Sequence, residues 1–280
     1  MKFGTKDGLP AIPAKLNLEA GGVHAQTLSI LDIASPSTTE IERILALLNK
    51  AKALEDSYRA WEANLPDMWR YKVVAYIDQE TMGMENLKIA PAYPGRVDTY
   101  KDTSAAMTLN MMRAARLMLL GDIVRISAWL CHPFQDYRTT SEYLSASRTS
   151  KEVIEDVIAS VPYFLGQIPV YDDDGASSTS CSSDSGYGGG GEGIFGTSVL
   201  GLFISWPLFV IQMSDFTTDE QRVWASGRLR YIGQERGLAQ SYMFSSVGLL
   251  SLTFHWFFHF PRWFCSFPSI QFCCLRSSNG

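Results

Sequence analysis

Apolar residues recur every three or four positions between Ile41 and Leu65, and this spacing constrains the fold more than any other feature of the chain. On an α-helix, residues spaced in this way share one face. Ser37 and Glu40 stand before the run at the spacing of a capping box, in which each side chain binds a free backbone N–H of the first turn. We therefore predict an amphipathic helix that ends at Pro66. Its expected buried residues are Ile41, Ile44, Leu45, Leu48, Ala51, Leu54, Tyr58, Trp61 and Leu65.

Four further segments have helical patterns, at about residues 98–130, 149–166, 195–213 and 217–237. In the third helix, Thr149 and Glu152 have capping spacing and Gly166 is suited to a helix end. No alternating strand pattern competes with these helices, so we predict an all-α fold, either a helical bundle or stacked antiparallel helix pairs. The expected buried residues of the long helix are Met107, Met111, Ala115, Met118, Leu119, Ile123 and Ile126. Those of the last helix are Trp224, Leu229 and Ile232.

Residues 195–213 are apolar on nearly every side, a pattern found in central core helices and in membrane spans. Gly201, Ser205 and Pro207 interrupt the segment, and no basic flank sets an orientation. We predict a buried core helix and no membrane association.

Residues 172–193 consist almost entirely of Asp, Glu, Gly, Ser and Thr, which bury too little apolar surface to offset the entropy of ordering. We predict a disordered loop inserted between two helices. The loop runs into Gly191-Glu192-Gly193-Ile194-Phe195-Gly196, which matches G-x-G-x-x-G. A dinucleotide-binding turn needs a preceding strand, and a Walker-type loop needs Lys after its last glycine, where Thr197 stands. The stretch therefore reads as a linker.

The loop and the chain ends suggest three parts: an N-terminal extension (1–36), a helical domain (37–240) and an aromatic-rich tail (241–280). The tail contains no Asp, Glu or Lys. An abrupt change in composition of this kind is typical of a translated intron. We therefore interpret the tail as irregular and as a gene-model artefact, and the alternative is a peripheral membrane anchor.

Composition excludes several functional classes. The net charge is −5 and no cluster of Lys and Arg forms a basic surface for nucleic acid. The five cysteines lack C-x-x-C spacing, and His255 and His259 lack the adjacent glutamate of a zinc-protease helix. No nucleophile elbow surrounds Ser198. We expect no metal, no cofactor and no catalytic residues.

One polar group on the long helix is a candidate site. Arg113 and Arg116 lie three residues apart on an otherwise apolar helix, with Asn110 one turn earlier. Long basic side chains on a buried face need acidic partners or the anionic group of a ligand. The expectation is either a structural network with Asp102, Asp122 or Asp156, or a ligand site built from Asn110, Arg113, Arg116 and Asp102.

Four motifs in order resemble the regulatory region of fungal binuclear zinc-cluster transcription factors, known as the fungal-specific transcription factor domain. Each is degenerate alone, but their order over residues 58–240 is specific. The first is Tyr-x-x-Trp near Leu-Pro, followed by Y-x-D…A…N-x-x-R-x-x-R. The others are "EDVIASVPYFLG", the tripeptide WPL, and a near match to W-x-x-x-R-L-x-x-I-G-x-E-x-G. They comprise Tyr58, Trp61, Leu65, Pro66; Tyr100, Asp102, Ala106, Asn110, Arg113, Arg116; Asp156, Ala159, Ser160, Val161, Pro162, Leu165, Gly166; Trp206, Pro207, Leu208; and Trp224, Arg228, Leu229, Ile232, Gly233, Glu235, Gly237.

The resemblance implies a nuclear, non-enzymatic regulator of transcription that controls a metabolic or secondary-metabolite gene cluster. It implies protein partners, as a homodimer or as a heterodimer with a complete factor, and a small-molecule effector. The six closely spaced cysteines of a zinc cluster are missing, since nothing before Cys131 supplies one, so we expect no direct DNA binding from this chain. The alternative is a small-molecule-binding helical protein or an enzyme of a biosynthetic pathway.

Overall fold

The computed structural model describes residues 11–31, 37–78, 84–167 and 193–247. The described chain is dominated by helices, which confirms the predicted all-α class, with one short hairpin in addition. The elements, in chain order, are α1 (Ala11–Leu31), α2 (Thr38–Ala63), β1 (Lys72–Ile77), α3 (Met84–Leu87), β2 (Gly95–Thr99), α4 (Thr103–Cys131), α5 (Ser141–Phe164), α6 (Gly193–Met213), α7 (Asp219–Glu235) and α8 (Ala239–Val247).

Helix α4 lies at the centre of the fold, because α1, α2, α5 and α6 all pack against it. Its predicted residues Leu119, Ile123 and Ile126 are buried. The prediction of a single buried side was wrong for Met107, Met111, Ala115 and Met118, which are only partly buried. A helix with neighbours on several sides buries more than one stripe, and the residues missed are Leu109, Met112, Ala114, Leu117 and Leu120.

Helix α2 begins as predicted. The backbone N–H of Glu40 donates to Ser37 Oγ at 3.3 Å, and that of Ser37 donates to Glu40 Oε2 at 2.7 Å. Six of the predicted residues between Ile44 and Trp61 are buried, and so is Leu65, but Ile41 and Leu45 are exposed. The buried stripe includes Leu47 instead, which belongs to the hydrophobic core.

The start of helix α5 differs from its predicted position. Helix α5 begins after Thr140, whose Oγ1 accepts from the N–H of Tyr143, so the expected start at Thr149 was wrong. Its predicted end is confirmed, since Gly166 has φ +65° and its N–H donates to Tyr163 O at 3.2 Å. Helix α7 begins with a capping box of Thr218 and Gln221, and Gly237 follows its end with φ +70°.

The antiparallel strands β1 and β2 form a hairpin that the sequence pattern did not indicate. Lys72 pairs with Thr99 and Ile77 with Gly95, with an irregularity between Val73 and Ala75. Strand β2 packs on α5. It also occupies the residues where the long helix was expected to begin, so that α4 starts after Asp102 instead.

Helix α6 is a core helix, as predicted, with Ile204, Leu208 and Ile211 fully buried. None of the described helices combines the length and apolarity needed to cross a bilayer. Helix α1 lies within the predicted N-terminal extension and packs on α4, and α8 covers the first residues of the predicted tail and packs on α7. The predicted loop at 172–193 falls almost entirely outside the described residues, and the tail beyond residue 247 falls outside them completely.

Candidate functional site

Arg116 of α4 is held by two glutamates of α2. Its Nε and Nη2 donate to the Glu55 carboxylate, with Nε to Oε2 at 3.0 Å and Nη2 to Oε1 at 2.7 Å. Its Nη1 donates to Glu62 Oε2 at 2.7 Å. Both Arg116 and Glu55 are buried, so each charge is stabilised chiefly by the other. This cluster joins α2 to α4.

Arg113 lies in a second cluster, between α4 and α5. Its Nη1 donates to the Tyr100 hydroxyl at 2.9 Å and to Asn110 Oδ1 at 3.2 Å, and its Nη2 donates to Asp156 Oδ2 at 3.4 Å. Asn110 in turn donates to Ser160 Oγ at 2.8 Å. Burial lowers the pKa of Arg113, but Tyr100 and Asp156 outweigh it and raise that pKa overall.

Strand β2 extends this cluster through Arg96 and Asp98. Arg96 Nη2 donates to Asp156 Oδ1 at 2.5 Å, and Arg96 Nε lies 2.8 Å from Asp98 Oδ1. The guanidinium also lies over the ring of Tyr71, 4.4 Å from its centroid. Asp98 is fully buried, and burial raises its pKa to about 6 against the opposing effect of Arg96.

The structure thus distributes the four candidate residues over three places. Asn110 and Arg113 lie together, Arg116 lies in the separate cluster with Glu55 and Glu62, and Asp102 is in neither. Asp102 instead caps α4, where its Oδ1 accepts from the N–H of Ala105 at 3.0 Å. Asp122, a suggested partner of the arginines, accepts from His24 Nδ1 of α1 at 2.9 Å.

Sequence reasoning identified Asp156 as a partner but missed Glu55, Glu62, Tyr100 and Ser160. One signal was present: Glu55 follows Leu54 and lies one turn before Tyr58, on the apolar face of α2. A carboxylate on such a face needs a cation from another element.

Helix α7 carries the motif W-x-x-x-R-L-x-x-I-G, and its residues hold the segment between α3 and β2. Trp224 is fully buried and its Nε1 donates to Ala90 O at 3.1 Å. Arg228 Nη2 donates to Lys88 O at 3.4 Å. Gly227 permits this approach, because a methyl group at that position would lie 2.0 Å from the Lys88 carbonyl oxygen. Gly233 likewise leaves space for Tyr242 of α8.

A cavity of about 430 Å³ lies beside this helix. The face of α7 that bears Arg228 and Tyr231 lines it, together with Lys88, Ile89 and Gln212. Among the described residues, no three His, Cys, Asp or Glu side chains are grouped to hold a metal ion. His255, His259 and the cysteines of the tail lie outside those residues.

Comparison with known proteins gives one informative similarity. Over 200 residues, the chain is 24% identical to transcription factor dbaG of Emericella nidulans. The aligned part is 71% of this chain and 43% of that protein, so the chain spans less than half of its relative. No family model matches the chain, and no solved structure matches it. The similarity supports a transcription-regulator-like protein and favours a role other than catalysis.

Proposed function

We propose that this chain is a regulatory domain that acts on transcription in the nucleus through protein partners, without contacting DNA itself. The observation that carries the proposal is the similarity to a transcription factor over 71% of the chain. The finer proposal is that the chain controls a metabolic or secondary-metabolite gene cluster, either as a homodimer or by pairing with a complete factor.

The internal pairing of the arginines on α4 supports a role other than catalysis. Arg116 binds Glu55 and Glu62, and Arg113 binds Asp156. Guanidinium groups that stabilise a reacting anion must reach it, whereas these are directed at carboxylates of α2 and α5. Their geometry suits the joining of helices, and the arginine positions of the motif then serve the fold.

The proposal is tested by tethering the chain to a heterologous DNA-binding domain and measuring a reporter gene in a fungal host. We expect the fusion to change reporter output, relative to the DNA-binding domain alone, by several-fold in either direction. Arg230→Ala, an exposed change on α7, should keep the effect, and Arg116→Met, which removes the cation that joins Glu55 and Glu62 to α4, should weaken it.

Direct DNA binding is measured separately, by gel shift of the purified chain with genomic fragments. We expect no specific shift at micromolar protein. A specific shift would contradict the proposed mode of action, and an inert fusion that is folded and nuclear would contradict the regulatory role itself.

A further inference from the structure

Arg228 is a buried arginine with no carboxylate partner in the described part of the chain. It is 3% exposed, and its contacts there are the Lys88 carbonyl oxygen at 3.4 Å and the ring of Tyr231, whose centroid lies 5.2 Å from its guanidinium carbon. Its Nε donates to none of the residues that the structure describes. Arg113 also has an unpaired Nε, but its other nitrogens reach a carboxylate. Among the described residues, Arg228 is therefore a buried charge without a counterion, unlike Arg113 and Arg116 of α4.

The charge of Arg228 is correspondingly poorly stabilised. Burial lowers the pKa of Arg228, and Tyr231 offsets this only in part. In Arg113 and Arg116, neighbouring acids overcome the same effect and raise the pKa. An anion placed beside Arg228 would raise its pKa, as Asp156 does for Arg113 and Glu55 does for Arg116.

A second unsatisfied group lines the same cavity. Gln212, near the end of α6, is 1% exposed, and its Oε1 accepts no hydrogen bond from the described residues. An amide oxygen accepts but does not donate. The cavity therefore presents one buried donor with a positive charge and one buried acceptor.

The remaining walls indicate the kind of molecule that fits. Ile89, Val223 and Tyr231 contribute apolar surface, while Lys88 and Arg230 are exposed at the cavity and add positive charge. Glu235 is the single acidic residue of the described lining, and it is exposed. A volume of about 430 Å³ is in the range of small-molecule pockets.

We propose that this cavity binds a small organic carboxylate with an apolar body, whose carboxylate pairs with Arg228 and whose hydroxyl donates to Gln212. Guanidinium and carboxylate match in geometry as well as in charge. A free phosphate has no apolar part to contact Ile89, Val223 and Tyr231. The inference is independent of the proposed function, because it is tested by binding to the purified chain.

The experiment uses benzoate and its three monohydroxylated forms as probes, with benzamide as the uncharged analogue and inorganic phosphate as the simple anion. Binding is followed by NMR chemical-shift changes and by isothermal titration. Ligands of this size bind with a Kd of about 1 mM when well matched. We expect benzamide to bind at least ten-fold more weakly than benzoate, and at least one hydroxybenzoate to bind several-fold more tightly.

Two variants assign the groups, and one serves as a matched control. Arg228→Gln should remove the preference for benzoate over benzamide, and Gln212→Met should remove the gain from the hydroxyl while leaving benzoate binding unchanged. Arg148→Gln removes a positive charge from an exposed side chain of α5 outside the cavity lining, so it should change affinity less than three-fold. Circular dichroism confirms that each variant is folded.

Several results would overturn the inference. They are equal binding of benzoate and benzamide by the unmodified chain, loss of binding in Arg148→Gln to the same extent as in Arg228→Gln, and tighter binding of phosphate than of any aromatic carboxylate. If Arg228→Gln does not fold, Gln212→Glu decides the matter. A negative charge at that position should weaken benzoate at least ten-fold while leaving benzamide unaffected, and an equal effect on both would reject the site.

Discussion

Arg116 of α4 and Glu55 of α2 form a bidentate ion pair, with Nε 3.0 Å from Oε2 and Nη2 2.7 Å from Oε1. Both side chains are buried, and they are 61 residues apart in sequence. The pair therefore fixes how two long helices pack, and its removal has a definite expected effect on stability.

Arg116→Met should lower the free energy of unfolding by about 3 kcal/mol, because it leaves the buried Glu55 with only the exposed Arg59, 3.5 Å away, as a cation. Glu62→Gln should lower it by less, since the side chain of Glu62 is 36% exposed. Urea denaturation measures both. The double variant Arg116→Met, Glu55→Met should recover much of the lost stability. If it does not, the loss comes from altered packing and not from the Glu55 carboxylate left without Arg116.

Asn110 and Ser160 should be energetically coupled, because Asn110 Nδ2 donates to Ser160 Oγ at 2.8 Å in a fully buried contact. Alanine variants of each and the double variant form a cycle in which we expect a coupling of about 1 kcal/mol. The cycle is measured by thermal or urea unfolding. Additive effects of the two single changes would show that this hydrogen bond contributes nothing of its own.

Asp98 should make stability depend on pH between the ordinary carboxyl pKa of 3.8 and its folded pKa of about 6. Its pKa is about 6 in the fold, above its ordinary value of 3.8, so the folded state binds the proton more tightly than the unfolded chain. The stabilising contribution is complete below the unfolded pKa and is lost as the pH rises through about 6.

Asp98→Asn removes this titration. The free energy of unfolding of the unmodified protein minus that of Asp98→Asn should therefore be larger at pH 5 than at pH 7.5, by about 1 kcal/mol. Urea denaturation at a series of pH values measures the difference. A pH-independent difference would show that burial does not perturb the Asp98 carboxyl.

Gly227→Ala should lower the free energy of unfolding by about 3 kcal/mol, because the added methyl would overlap the Lys88 carbonyl oxygen. Gly21→Ala is the matched control: Gly21 lies within helix α1, and a methyl group there meets nothing within 4 Å. That change should raise stability by up to about 1 kcal/mol through helix propensity. Similar melting temperatures for the two variants would contradict the close packing of α7 on the segment before β2.

Local chemistry made part of this fold predictable. The box of Ser37 and Glu40 acts within one turn, so its residues were sufficient to place the start of α2. Thr149 and Glu152 have the same spacing but do not cap, because the chain before them is already helical from Ser141 onward. A capping pattern is informative only where the preceding residues do not extend the helix, and α5 extends for two turns before Thr149.

The sequence pattern did not predict the contacts between residues that are distant in the chain. Arg113 and Arg116 were recognisable as buried because their helix is apolar, but the glutamate partners of Arg116 on α2 lie more than 50 positions away. The hairpin was missed because β1 is short and largely exposed, with little of the alternation that marks a half-buried strand. The cavity beside α7 is formed by side chains from three separate segments, which no local motif brings together.

The polar residues of α4 also determine which helices can be exchanged between related proteins. Asp122 binds His24 of α1, Arg116 binds Glu55 of α2, and Arg113 binds Asp156 of α5. Each of these three helices is joined to α4 by a different pair of polar side chains. A chimaera that took α2 from a relative with no acid at positions 55 and 62 would therefore leave the Arg116 guanidinium buried without these two partners, however well its apolar residues fitted. Recombination should succeed where both members of each pair are exchanged together, so that α4 is transferred as one unit with α1, α2 and α5.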